Sequence, residues 1–184
     1  MQATLIRKQA PMTSSADAAM TTLSELSKPD FVARLGNVFE HSPWVAERSW
    51  HARPFTRVDE LHAAMVAAMT SASAAEQLAL IRAHPELAGA EAASGTLTAA
   101  STGEQRGAGL DQCSADELQR LRALNAAYRE RFGFPFVVAV KGRSRYQIMD
   151  AIEARLQNDA QTEFATCLSE IAQIARFRLD ALFA

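Results

Sequence analysis

The feature that most restricts the fold is a helix-start pattern that occurs three times along the chain. In this pattern a serine precedes a glutamate by three residues, and each side chain can bond the backbone N–H of the other in the first turn of a helix. The pairs are Ser73 with Glu76, Ser101 with Glu104, and Ser114 with Glu117. Apolar residues recur at helical spacing through most of the chain. Together these signals predict an all-α fold.

Apolar spacing and helix-start signals divide the chain into helices joined by short connections. The predicted helices cover residues 29–40, 43–50, 58–70, 73–84, 114–132, 144–156 and 160–184, with a shorter helix inside 91–112. A chain of 184 residues is about the size of one domain, so we expect a single-domain helical bundle over residues 23–184. Residues 1–22 carry no sustained apolar period, and we expect them to form a flexible N-terminal arm.

One segment departs from the helical pattern. Residues 134–140 read Phe-Pro-Phe-Val-Val-Ala-Val, a mixture of aromatic and β-branched residues that favours an extended chain. No second segment of this kind offers it a strand partner, so its backbone N–H and C=O groups must bond to side chains, water or a ligand. Two interpretations stay open, a buried connector or a pocket wall that presents amide groups.

Composition argues against several classes of function. Nineteen basic and 21 acidic residues leave a net charge of −2, so the chain as a whole is not attracted to nucleic acid or to anionic membranes. Cys113 and Cys167 lack the spacing of a metal site, and His41, His51 and His62 form no ligand pattern. No apolar run approaches the length of a membrane span. We therefore expect no metal, no nucleic-acid partner, no membrane association and a cytoplasmic location.

His84 is the first candidate functional residue. It stands at a helix end fixed by Pro85, which disfavours helical geometry in the residue before it. Imidazole is the natural acid–base group near neutral pH, so this histidine is a candidate catalyst. It could instead bond the last carbonyls of its own helix as a C-terminal cap, and spacing alone favours that simpler role.

Glu104, Gln105 and Arg178 are the other candidates. Glu104 and Gln105 place a carboxylate beside an amide, a pair that suits a polar heterocycle, although Glu104 could simply complete the capping box with Ser101. Arg178 lies on the apolar stripe of the last predicted helix, where an unpaired guanidinium would be costly. Its partner could be an internal carboxylate such as Glu104 or an anionic ligand, but a lone arginine more commonly extends to solvent.

Four motifs occur together in the chain. They are Leu35-Gly36-x-x-Phe39-Glu40-His41-Ser42-Pro43-Trp44, His84-Pro85-Glu86-Leu87-Ala88-Gly89, Ser101-x-x-Glu104-Gln105 and Phe132-Gly133-Phe134-Pro135-Phe136. In order and spacing the chain resembles the 2-oxo-4-hydroxy-4-carboxy-5-ureidoimidazoline (OHCU) decarboxylase family of urate breakdown. The resemblance covers about residues 31–182, nearly everything outside the N-terminal arm.

The resemblance implies an all-α enzyme that is usually a homodimer, needs no cofactor, and converts OHCU to (S)-allantoin and carbon dioxide. It places the catalytic acid–base group on His84 and a second catalytic group on Glu104. The residues that it implies for substrate binding are Pro85, Ser101, Gln105, Phe136, Val137, Val138 and Arg178, with Arg176 as the less favoured register for the arginine. The resemblance does not explain the N-terminal arm.

The implied chemistry leads to a hypothesis about roles. Decarboxylation leaves an electron pair on carbon, and the conjugated C=N of the imidazoline ring can accept it without a cofactor. His84 would then handle the proton at or beside the reacting carbon, while Glu104 would orient His84 or hold ring and ureido N–H groups. Arg178 would bind a ring or ureido oxygen or the carboxylate, and the backbone of residues 136–138 would complete the recognition.

Two other classes of function compete with this hypothesis. A non-catalytic helical binding module would use the region of Trp44 and Trp50 as a partner groove, and it predicts a surface ion pair for Arg178. A metal-dependent ureide hydrolase would need ligands and a nucleophile that the sequence does not offer. The enzyme hypothesis instead predicts that His84, Glu104 and Arg178 meet in one pocket.

Overall fold

Helices account for most of the part of the chain that the computed structural model describes, residues 15–184. The ten α-helices in this part are α1 (Ser15–Glu25), α2 (Lys28–Leu35), α3 (Pro43–Ser49), α4 (Val58–Thr70), α5 (Ala74–Arg82), α6 (Ala90–Ser94), α7 (Ala99–Gly107), α8 (Ala115–Phe132), α9 (Arg145–Arg155) and α10 (Ala160–Leu182). Short 3-10 turns lie at Trp50–Ala52 and Leu110–Gln112, and residues 15–184 contain no β-strand. The all-α prediction is confirmed.

Side-chain caps fix where several helices begin. Ser73 and Ser114 form the predicted capping boxes at the starts of α5 and α8, with both reciprocal hydrogen bonds present. The box predicted at Ser101 is wrong, because α7 begins after Thr98, whose hydroxyl accepts the Ser101 N–H at 3.2 Å. Ser101 therefore lies inside the helix and is buried, and Glu104 is free for another use.

The helical part of the chain begins earlier than predicted. Residues 15–22, predicted as the last part of a flexible arm, belong to α1, while residues 1–14 of that arm lie outside the described residues. Met20 and Leu23 are buried against the core, and the Ser24 hydroxyl accepts the Phe55 N–H at 2.7 Å. Tertiary packing thus stabilises a helix whose own apolar period is too short to identify it.

The helix predicted over residues 29–40 ends at Leu35 instead. Gly36 follows, and a Cβ at this position would lie 2.7 Å from a carbonyl oxygen of α2 and 3.2 Å from the side chain of Pro43. Only glycine allows α2 and α3 to approach so closely, and the chain turns between these helices rather than extending α2. The turn brings Glu40 into the interior, where it is 1% exposed.

The core is built around α10 and the extended segment of residues 134–140. α10 contributes Cys167, Ile171 and Leu179 to the interior and packs against α4 and α5. The extended segment joins α8 to α9 and is buried from residue 136 onward. No single helix within residues 15–184 is long and apolar enough to cross a membrane, and α4 with α5 satisfies the length and composition test only as a pair bent by 113°.

Candidate active site

One cavity brings together every residue that the sequence analysis assigned to the site. It lies between the end of α5, α7, the extended segment and α10, and it encloses about 30 Å³. The nine predicted residues in its lining are His84, Pro85, Ser101, Glu104, Gln105, Phe136, Val137, Val138 and Arg178. His84, Glu104 and Arg178 thus meet in one pocket, which is the arrangement that the enzyme hypothesis required.

A larger groove adjoins this cavity. It has a volume of about 400 Å³ and shares Glu104, Val140, Ile174 and Arg178 with the cavity lining. Apart from Glu104, the residues that α7 contributes to the groove are alanine and glycine. The groove and the cavity are therefore neighbours, with Glu104 and Arg178 at the junction.

His84 follows the end of α5, and its two ring nitrogens have different environments. Nδ1 lies 2.9 Å from the Leu80 carbonyl oxygen, and because a carbonyl only accepts hydrogen bonds, Nδ1 carries a proton. Within residues 15–184, Nε2 has no hydrogen-bond partner. The capping role and the catalytic role are thus compatible, because one nitrogen serves each.

The protonation state of His84 follows from its surroundings. Mainly burial, together with the charge of Arg178, lowers the pKa of His84 to about 4, while the Leu80 carbonyl and the Glu40 carboxylate act in the opposite direction. The imidazole is therefore neutral at pH 7, with a lone pair on Nε2. A neutral imidazole can accept a proton from a bound molecule.

Arg178 enters the cavity from α10 with all of its donor groups engaged. Its Nε and Nη2 bind the two carboxylate oxygens of Glu104 at 2.7 and 2.9 Å, a bidentate pair. Nη1 lies 2.8 Å from a Glu40 oxygen, and Nη2 also donates to the Ser101 hydroxyl at 3.3 Å. Two backbone carbonyls, of Asn37 and Val38, accept from Nη1 at 3.4 Å. The Arg178 side chain is 9% exposed, so the surface ion pair of the binding-module hypothesis is not what the structure contains.

Glu40 is a site residue that sequence reasoning missed. Its carboxylate accepts hydrogen bonds from the Thr98 hydroxyl at 2.8 Å and the Ser101 hydroxyl at 3.1 Å, besides the ion pair with Arg178. Burial alone would raise the pKa of Glu40, but the charge of Arg178 and the hydrogen bonds from Thr98 and Arg178 lower it below its usual value. The buried carboxylate is therefore ionised and helps to compensate the buried guanidinium.

Glu104 does not orient His84, which was one of the two roles proposed for it. The described contacts of its carboxylate are with Arg178, whereas His84 is oriented by the Leu80 carbonyl. Each carboxylate oxygen keeps a second lone pair after binding the guanidinium. Glu104 can therefore accept N–H groups from a molecule in the cavity, which was its alternative role.

Gln105 and the loop after His84 hold each other in place. The side-chain Oε1 of Gln105 accepts the Ala88 N–H at 2.9 Å, and its Nε2 lies 3.5 Å from the Glu86 carbonyl oxygen. Ala88 has a φ of 50°, a left-handed conformation that is strained for a residue with a Cβ. Gln105 thus stabilises the loop through its oxygen, while its amide N–H groups are only weakly engaged by the loop.

The extended segment presents one backbone edge to the helices and the other to the cavity side. The Val137 carbonyl accepts from Arg155 at 2.8 Å, and the Ala139 N–H donates to Glu170 at 2.8 Å. Residues two apart in an extended chain direct their N–H and C=O groups to the same side. The backbone groups of Phe136 and Val138 therefore face the opposite way, so the segment is both a buried connector and a pocket wall.

Other candidate groups lie away from this cavity. Arg176, the alternative register for the arginine, is on the surface and pairs with Asp59 and Asp180. Within residues 15–184, no group of three or more His, Cys, Asp or Glu side chains could hold a metal ion. The two cysteines of the chain are unpaired thiols, Cys113 partly exposed and Cys167 buried.

Comparison with known proteins gives a consistent set of relatives. A family model for OHCU decarboxylase matches residues 24–180. A 2-oxo-4-hydroxy-4-carboxy-5-ureidoimidazoline decarboxylase of Haloferax volcanii is 43% identical over 167 residues, which are 91% of this chain and 97% of that protein. The crystal structure of (S)-allantoin synthase aligns with a TM-score of 0.70 at 28% identity, over 89% of this chain and 53% of that one.

A second solved structure supports the same architecture. The crystal structure of OHCU decarboxylase in the presence of (S)-allantoin aligns with a TM-score of 0.66, over 86% of this chain and 99% of that one. At 22% identity, this match shows a shared fold. Fold, cavity and relatives together define an all-α carboxy-lyase. The chain belongs to the OHCU decarboxylase family, as the motifs in its sequence indicated.

Proposed function

We propose that this chain decarboxylates OHCU to (S)-allantoin and carbon dioxide, and that it does so without a cofactor. The observation that carries the proposal is the convergence of all nine predicted site residues on one cavity, among them a histidine that is neutral at pH 7. The names of the relatives supply the substrate, and the cavity supplies groups suited to it.

The reaction requires an electron sink and a controlled proton. When the bond to the carboxylate breaks, its electron pair moves into the conjugated C=N of the ring, and a proton must then reach the ring carbon that becomes the stereocentre of allantoin. His84 Nε2 accepts a proton from the substrate hydroxyl as the ring carbonyl forms, and the imidazolium returns this proton to that carbon, while the ring nitrogen that received the electron pair takes up one proton from solvent. Delivery from one side of a ring that is held in a fixed orientation accounts for a single enantiomer.

Binding and orientation fall to the other residues. Glu104 accepts ring and ureido N–H groups while Arg178 holds it in place. Arg178 can bind a substrate oxygen or the carboxylate by exchanging its longer contacts, those of 3.3 to 3.4 Å to Ser101 and to backbone carbonyls. The backbone of Phe136 and Val138 adds amide donors and acceptors from the facing wall.

The experiment follows the reaction itself. OHCU is generated in place from urate with the two enzymes that act before this step in urate breakdown. Its conversion is recorded by circular dichroism as (S)-allantoin appears. We expect rapid conversion that a chelator does not inhibit, and a loss of about 10²–10⁴-fold in turnover for folded His84→Asn. Decay no faster than the spontaneous reaction, from folded wild-type protein, would refute the proposed function, and near-normal turnover of His84→Asn would refute the role of His84.

Assembly and location are further proposals. We expect a homodimer in the cytoplasm, with a small ureidoimidazoline as the bound molecule and no nucleic acid or membrane. The family resemblance supports the dimer and the ligand, and the near-neutral net charge supports the expectation of no nucleic acid or anionic membrane. The spacing of Cys113 and Cys167, which suits a reducing compartment, supports the location. Light scattering coupled to size-exclusion chromatography tests the dimer, and a monomer at micromolar concentration would refute it.

A further inference from the structure

A second buried polar cluster lies behind the extended segment, on the side away from the cavity. Its centre is the ion pair of Arg155 from α9 and Glu163 from α10, with Nε and Oε1 2.8 Å apart. Glu163 is fully buried and also accepts hydrogen bonds from the Tyr128 hydroxyl and, at 2.7 Å, from the Asn158 amide. None of these four residues lines the cavity described above.

The cluster reaches the cavity wall through Arg155. Its Nη1 donates to the Val137 carbonyl at 2.8 Å, and its guanidinium lies 4.4 Å from the centre of the Phe136 ring. One side chain thus contacts two consecutive residues of the segment that forms the pocket wall. Because Glu163 binds the Nε side of the guanidinium, the direction of Nη1 is fixed as well.

A second anchor acts on the same edge of the segment. The Glu170 carboxylate accepts the Ala139 N–H at 2.8 Å, and Arg143 lies 3.7 Å from its other oxygen. Val137 and Ala139 are two residues apart, so both anchors hold one edge of the extended chain. A slip of one residue would exchange the two edges, and these anchors oppose such a slip.

The opposite edge carries the backbone groups of Phe136 and Val138. Within residues 15–184, no hydrogen bond engages the N–H or C=O of either residue. Both residues line the cavity. Buried backbone groups are almost always paired, so unpaired groups beside a cavity are suited to a bound molecule.

Stability alone does not account for the cluster. A buried ion pair commonly contributes no more than apolar side chains of similar volume would, because both charges lose their hydration. A fully connected buried network does fix geometry, however. We therefore look for the role of this network in the position that it gives to residues 134–140.

We propose that Arg155, held by Glu163, is a positioning residue that sets the register of residues 134–140, so that the backbone of Phe136 and Val138 faces the substrate. Arg155 touches no substrate and acts through the Val137 carbonyl and the Phe136 ring. The ureido and ring amide groups of the substrate are the partners of the exposed edge. This inference rests on the proposed function.

The decisive variant is Arg155→Lys. A lysine keeps a positive charge beside Glu163, but its single ammonium group cannot bond Glu163 and Val137 in the forked geometry of arginine. We expect a folded protein whose kcat/KM is 10- to 100-fold lower, with the loss mainly in KM, because small displacements of a binding wall have effects of about this size. Glu170→Ala removes the other anchor of the segment and should also raise KM.

Arg145→Met is the matched control. Arg145 also lies on α9 and also forms an ion pair with a glutamate of a neighbouring helix, Glu117 of α8, at 3.0 Å. It makes no described contact with residues 134–140. This variant should lower the melting temperature without changing KM.

Two measurements do not depend on turnover. Amide hydrogen exchange should become faster at residues 136–140 in Arg155→Lys but not in Arg145→Met, and the Kd for (S)-allantoin, measured by calorimetry, should rise at least about tenfold. Wild-type protein without activity would refute the proposed function, while faster exchange would still support the anchoring role. If Arg155→Lys folds and both its KM and its amide exchange rates equal those of wild type, the inference is overturned. If Arg155→Lys does not fold, the test falls to Glu170→Ala, where an unchanged KM and an unchanged Kd would overturn the inference.

Discussion

Glu40 and Arg178 form a buried ion pair beside the cavity, with 2.8 Å between Nη1 and the nearer carboxylate oxygen, although they come from opposite ends of the chain. Glu104 binds the other side of the same guanidinium. Arg178 therefore stands between two carboxylates, and the excess negative charge of this triad faces the neutral imidazole of His84. The arrangement keeps the guanidinium in place before any substrate arrives.

Replacing Glu40 with glutamine should weaken both stability and activity. The amide keeps the shape of the side chain but removes the charge that compensates Arg178, and disrupting a buried pair of this kind costs about 3 kcal/mol of unfolding free energy. The kcat/KM should fall as Arg178 and Glu104 lose their fixed geometry. Urea unfolding and steady-state kinetics at pH 7 measure the two effects.

Glu47→Gln is the control for this prediction. Glu47 pairs with Lys28 on the surface, where the two side chains are 55% and 38% exposed, so removing the Glu47 charge should leave urea unfolding essentially unchanged. Equal effects of the two substitutions would contradict the structural role that we assign to Glu40.

The stability of the protein should depend on His84 in mildly acidic solution. The folded-state pKa of His84 is lowered from 6.5 to about 4, mainly by burial, so the unfolded chain binds a proton at higher pH than the folded protein does. Above pH 6.5 His84 is neutral in both states and does not make the free energy of unfolding depend on pH. As the pH falls from 6.5 to 4, the wild-type free energy of unfolding decreases by up to about 3 kcal/mol because of this residue.

His84→Asn separates this effect from other titrations. The variant cannot bind the proton, so the difference in unfolding free energy between wild type and variant should shift in favour of the variant as the pH falls below 6.5. Denaturant titrations at several pH values between 4 and 8 provide the measurement. A constant difference over this range would mean that His84 titrates normally in the folded state.

Sequence patterns predicted most helices and most of the residues that line the site, but they did not predict how these residues contact one another. Capping serines and apolar periods act over a few residues, so Ser73 and Ser114 were recognised as helix starts. Ser101 satisfied the same local pattern, yet Thr98 caps α7, because the Ser101 hydroxyl is used by Glu40 in the interior. A local rule cannot anticipate that competition.

Glu40 was missed for the same physical reason. It belongs to the first of the four motifs, but the apolar spacing placed it at the end of a helix that in fact ends at Leu35. Its role depends on the turn after Gly36 and on contacts with α7 and α10, which are distant in sequence. The extended segment was recognised from composition, whereas its anchors Arg155 and Glu170 lie on helices whose patterns gave no indication of that contact.

In the pH–rate profile, activity should begin to fall only at a pH that is unusually acidic for a histidine base. kcat/KM reports the ionisation of the free enzyme, and the pKa of His84 in the free protein is about 4. Activity should therefore be nearly constant from pH 8 to about pH 5 and should decline at lower pH. Stopped-flow mixing of preformed OHCU into buffers of different pH measures this profile, and a midpoint near 6.5 would show that the active base is a solvated histidine instead.

Arg178→Lys should separate the cavity arginine from its surface neighbour. Lysine cannot bind Glu104 through two parallel hydrogen bonds while also reaching Glu40, so both carboxylates lose their alignment. We expect kcat/KM to fall by about 100-fold or more, as for the loss of a preorganised donor in other active sites. Arg176→Lys, two residues earlier on the same helix, keeps a charge near Asp59 and Asp180 on the surface and should retain near-normal kcat/KM. Equal losses in the two variants would indicate that the helix position, rather than the guanidinium in the cavity, determines activity.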